Sequence, residues 1–116
     1  MLTAATVALT AALAGSTLTW TERVDVGTAV EHVSFCEDGT VHGRYEGLAD
    51  DGTHHLGFSD GRWKVVAAES RRRGVVRLTG ADDGRPSRQT VRLRPKAATA
   101  VLDGRAYRWS PDGADC

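Results

Sequence analysis

The side chains whose types and spacing could carry chemistry are few, and the four histidines come first: His32, His42, His54 and His55. His54 and His55 follow Asp50 and Asp51, and imidazoles beside carboxylates are a donor set for a transition metal. Neighbouring residues of a strand point to opposite faces, so the two rings cannot easily share one ion. With Gly52 and Gly57 close by, the segment reads as a polar loop, and neither a metal nor another cofactor is expected. His32 and His42 fall in what reads as a hairpin, as a solvated cross-strand pair on the face opposite Phe35 and Tyr45. Ser34 shares a strand face with His32, but no nucleophile elbow occurs, so no catalytic residue is assigned and no enzyme is expected.

The charged residues give three further candidates. Glu22 interrupts an apolar parity, and turned inward it would need Arg62, Arg92 or Arg108 as partner, a ligand-orienting pair at a barrel mouth. Where the strand ends or bulges it is simply solvated, and that is the expectation. Arg71, Arg72 and Arg73 form the densest basic cluster; with Lys64 and Arg77 they make either a patch for phosphate or an acidic protein, or a solvated basic loop. The acidic stretch 46–60 reads as a second recognition loop. The formal net charge is zero, but Glu22 to Asp60 holds nine acids and two bases, and Gly61 to Arg108 thirteen bases and four acids. Opposite charges of this kind can pair when a meander closes on itself. Few aromatics interleave with the arginines, so nucleic acid is not an expected partner.

Residues 1–16 carry no charged side chain, and Leu2, Val7, Leu9 and Leu13 among alanines form an apolar run. The run is shorter than the roughly 20 residues of a membrane span. Ala12-Leu13-Ala14 fits the small-x-small pattern of a signal peptidase site, which predicts a leader over 1–14 and a mature domain over 15–116. No Lys or Arg precedes the run, and a buried helix or strand is the other reading. Ser16 stands where a lipidated cysteine would have to be, so no membrane anchor is expected. In an exported chain two cysteines usually pair, which predicts a Cys36–Cys116 disulfide in a secreted protein.

These residues must be positioned by strands. Leu18, Trp20, Val24 and Val26 share a parity; Val33 and Phe35, Val41 and Tyr45, Trp63 and Val65, Val76 and Leu78, and Val91 and Leu93 alternate with polar neighbours. Val101 or Leu102 anchors one more run, and Tyr107 with Trp109 the last. Period-two alternation gives each strand one dry face. Only Val65 to Ser70 leaves room for a short helix. Asp-Gly occurs at residues 38, 51, 60, 83, 103 and 112, and each pair favours a turn. The sum is an all-β chain, an antiparallel meander of about eight strands forming a barrel, half-open barrel or sandwich.

Three segments carry a resemblance. His32-Val33-Ser34-Phe35-Cys36-Glu37-Asp38-Gly39-Thr40, Gly61-Arg62-Trp63-Lys64-Val65 and Leu102-Asp103-Gly104-Arg105-Ala106-Tyr107-Arg108 resemble, in order and spacing, the strands of small secreted bacterial lipocalin-like domains. The resemblance spans about residues 17–110 and implies an up-and-down barrel without catalytic residues. It favours a monomeric binding module for a small apolar molecule, with Trp20, Phe35, Tyr45, Trp63, Tyr107 and Trp109 lining the interior. The competing expectation is a secreted interaction or inhibitory module, in which those aromatics fill a solid core and Arg71–Arg73 or the 46–60 loop carries recognition.

Overall fold

The computed structural model describes residues 2–80 and 86–116 of the 116-residue chain. A helix, α1 (Ala4–Leu13), precedes eight strands: β1 (Ser16–Val24), β2 (Gly27–Phe35), β3 (Thr40–Ala49), β4 (His54–Ser70), β5 (Arg73–Gly80), β6 (Pro86–Arg94), β7 (Thr99–Leu102) and β8 (Arg105–Ser110). Neighbours in sequence pair antiparallel, and β8 returns to β1, so the sheet is a closed barrel in meander order with lipocalin-like topology. Closure gives every strand a partner on both sides over at least part of its length, which limits the free edge that a chain of short amphipathic strands must otherwise protect.

The alternating residues face inward as their parity dictates. Leu18, Phe35, Trp63, Val65, Val76, Val91, Leu93, Ala100, Leu102, Tyr107 and Trp109 form one core. Turns fall at Gly39, Gly52 and Gly104, each with the positive φ that glycine takes without strain. Asp60-Gly61 is not a turn. It lies inside β4, a 17-residue strand, opposite His42 and Val41. Glycine is needed there because a Cβ would run into the Thr79 carbonyl of β5. The stretch from Val65 to Ser70 completes β4 as strand with two register shifts against β5, so its loss of strict alternation marks bulges, not a helix. His54 and His55 also lie in β4, so neither they nor most of 46–60 is loop. The Asp-Gly pair at residue 83 lies outside the described residues.

In the full chain the apolar segment 1–14 is folded. Thr3 caps α1 by accepting from the Thr6 N–H, and alanine is the strongest helix former. Leu9 and Leu13 are completely buried among the barrel core, where α1 packs against β4 and β5 and fills the lower end. Burial of such a leucine contributes about 1.5–3 kcal/mol. The wall itself begins at Gly15, whose N–H donates to the Phe35 carbonyl and whose carbonyl accepts from Ala114 N–H.

Cys36, at the end of β2, is bonded to Cys116. The disulfide hints at an oxidising, extracytoplasmic compartment.

Candidate functional site

Eight-stranded barrels are just wide enough for side chains to fill them. The lower half here is filled: Phe35 and Trp63 meet edge to face with centroids 5.4 Å apart, and Leu9 and Leu13 close the end. The upper half is not. It holds a cavity of about 490 Å³ open at the mouth. Four glycines of β3, β4 and β5, Gly43, Gly57, Gly61 and Gly80, stand in its lining and bring no side chain into the space. Gly57 has only the Tyr45 Cβ within van der Waals reach of a Cβ, at 3.7 Å.

What remains around the cavity is an apolar belt, Val33, Val41, Leu78 and Leu102, with Glu31, Tyr45, Gln89 and Tyr107 among its polar groups and Arg44, Ser59, Asp60 and Thr79 also in the lining. Glu31 and Arg105 form an ion pair at 3.8 Å, and the Arg105 guanidinium lies over the Trp20 ring, 4.3 Å from its centre. Burial, and then the negative charge of Glu31, raise the Tyr107 phenol above its ordinary pKa, so it stays a neutral hydroxyl through physiological pH. The mouth therefore brings together the Glu31 carboxylate, the Arg105 guanidinium paired with it and the Tyr107 hydroxyl above an apolar body.

The six aromatic candidates separate accordingly. Tyr45 and Tyr107 line the cavity and Trp20 lies under Arg105, whereas Phe35, Trp63 and Trp109 belong to the filled core. Glu22 is exposed, so it forms no interior pair with Arg62, Arg92 or Arg108. The mouth carboxylate is Glu31, which the sequence signals in the same way: it interrupts the inward series Ala29, Val33, Phe35.

Outside the barrel, Ser34, His42 and Asp60 are register partners across β2, β3 and β4. Asp60 lies 2.6 Å from His42 Nδ1, and His42 Nε2 is 3.2 Å from the Thr40 hydroxyl. The order carboxylate, imidazole, hydroxyl has the outline of a triad, but the protons run the wrong way. A nucleophile must give its proton to the imidazole. Thr40 donates its own to Asp38 at 2.6 Å, and with the Thr40 N–H this holds the Asp38 carboxyl below its ordinary pKa. Ser34 is buried, shares a hydrogen bond with Thr17 and accepts from the Asp115 N–H. His32 bonds Thr19 and stands opposite Arg44, one step off His42, so the two histidines do not pair directly. Among the described residues no group of three or more His, Cys, Asp or Glu could hold a metal.

Closure does not neutralise the two charge blocks. Among the described residues one ion pair, Glu31–Arg105, joins the acidic stretch to the basic one; the others lie within a stretch. Arg72 and Arg73 instead line an outer cleft with Arg92, Arg94 and Lys96, and Arg71 projects from the adjoining turn.

Comparison of the chain with protein-family models, curated proteins and solved structures finds no significant match.

Proposed function

We propose that this protein is a secreted, non-catalytic, monomeric barrel that binds a small molecule in its upper cavity. The observation that carries the reading is the division of the interior: a core packed below, and above it an opening of about 490 Å³ that glycine-bearing strands line. Sites for small molecules are typically concave and mostly apolar, with a few placed polar groups. The belt Val33, Val41, Leu78 and Leu102 accepts an apolar body, and Glu31, Arg105 and Tyr107 orient a polar end. Secretion would use residues 1–14 as leader, with Gly15, the first residue bonded into the wall, as the mature start. N-terminal sequencing of the exported protein tests that part: Met1 retained on exported protein would leave α1 as a permanent plug.

The binding part is tested with an anilinonaphthalene sulfonate, which joins a flat apolar body to an anion that Arg105 can meet. The oxidised protein is expected to enhance its fluorescence in the native state. Gly57→Leu, a site where a Cβ meets no clash, should remove that enhancement without lowering the melting temperature. Equal enhancement by both proteins would place the probe elsewhere and end the cavity reading.

A further inference from the structure

The basic half of the chain builds a site on the outer wall that the cavity does not use. The turn between β4 and β5 lies beside the end of β6, tied to it by a hydrogen bond of 2.7 Å from the Leu93 N–H to the Arg72 carbonyl, and the connection to β7 follows at once. Between them is a cleft of about 420 Å³ lined by Arg72, Arg73, Arg92, Arg94 and Lys96, and no carboxylate lines it. Among the described residues one ion pair reaches these five cations, Arg73 to Glu69 at 3.8 Å. Arg73 and Arg92 are direct register partners. Like charges placed opposite each other across strands destabilise a sheet, so the fold itself gains nothing from this arrangement.

We infer that this cleft binds a ligand carrying two or more phosphoryl groups. Five cations around one space exceed what a single monoanion can neutralise. Four of the five are arginines, whose planar forks match the oxygens of a phosphoryl group two at a time. A chain of phosphoryl groups supplies repeated negative charge at short spacing, which a single carboxylate does not. The site lies at the ends of β5 and β6 opposite those that line the mouth cavity, so it is independent of the ligand proposed there.

The same chemistry is offered by a soluble oligophosphate and by lipid headgroups, and two arms separate them. Tripolyphosphate is titrated calorimetrically into the oxidised protein, and cosedimentation is measured with phosphatidylcholine vesicles with and without cardiolipin, whose headgroup carries two phosphoryl groups. The triple variant Arg73→Ser, Arg92→Ser, Lys96→Ser is compared with Arg23→Ser, whose cation is paired with Asp50 in the β1–β4 part of the wall. Binding in the first arm that weakens with salt, exceeds that of orthophosphate and drops by about tenfold or more in the triple variant supports a soluble source. The same loss confined to cardiolipin vesicles supports a lipid source. No binding in either arm overturns the inference, as does an equal loss in Arg23→Ser. Binding of poly-glutamate as tight as tripolyphosphate would assign the cleft to an acidic peptide and overturn it too. Circular dichroism confirms that each variant is folded.

Discussion

Trp63 and Trp109 bury the same side chain with opposite hydrogen-bonding outcomes. Trp63 Nε1 donates to the Cys36 carbonyl at 2.9 Å inside the core. Trp109 Nε1 is buried and has no partner among the described residues. An unpaired buried donor keeps its desolvation cost, of about 1–3 kcal/mol, without return. Replacement by phenylalanine removes similar volume at both sites but loses a hydrogen bond only at Trp63. Trp63→Phe is therefore expected to destabilise by about 1–2 kcal/mol more than Trp109→Phe, read from urea unfolding of the oxidised variants. Equal costs, or the reverse order, would refute the assignment of the two indoles. At this scale the sequence was legible by parity and silent on partners. Alternation puts Phe35, Trp63 and Trp109 inside, but which indole finds a carbonyl depends on where the turn after Cys36 brings its backbone. Glu31 shows the same limit: its parity points inward, yet its cation, Arg105, lies on the far side of the chain.

Strand β6 was the most readable element, and the structure shows Val91 and Leu93 buried between exposed Arg92 and Arg94. Strand β4 was the least, since Asp60-Gly61 has turn chemistry while its neighbours impose a strand. In β4 the glycine serves close approach to β5, and Asp60 serves His42. Four glycines around the cavity show what composition hides, because Gly57 reads as a loop residue, and Gly43 passes unremarked between Val41 and Tyr45, until register turns both inward. On the outer face of β6 the arrangement of charge makes an energetic prediction. Arg92 opposes Arg73, so Arg92→Glu converts a repulsive pair into an attractive one. Cross-strand pairs differ by about 0.2–1 kcal/mol, so the variant should unfold at higher denaturant with an unchanged slope. A loss of stability would mean that some unrecognised interaction of Arg92 outweighs the repulsion. A gain accompanied by weaker tripolyphosphate binding would show the wild-type residue retained at a cost to the fold.

The molecule as a whole depends on one seam. β1 meets β8 through three register pairs, Thr17 with Ser110, Leu18 with Trp109 and Thr19 with Arg108, far fewer than the nine joining β1 to β2. The chain reinforces that seam from outside. After β8 the tail crosses back over it: the Ala114 N–H donates to the Gly15 carbonyl, the Thr17 hydroxyl to the Gly113 carbonyl, and the Asp115 N–H to the Ser34 hydroxyl. The strap ends in the disulfide to Cys36, across 80 residues of sequence. Closing a loop of that length removes unfolded-state entropy equivalent to about 4.5 kcal/mol at most. The loss on reduction should have a location as well as a size. With the bond open, three ladder pairs and a frayed tail must hold the barrel shut, whereas β3, β4 and β5 keep their long pairings. Reduction, or the double variant Cys36→Ser, Cys116→Ser, is therefore expected to lower the melting temperature. It should also raise hydrogen exchange first at residues 16–19 and 108–110, with β4 protected longest. Uniform loss of protection across the strands would mean that the bond acts on the unfolded chain alone, and the seam would then not be the weak point of the wall.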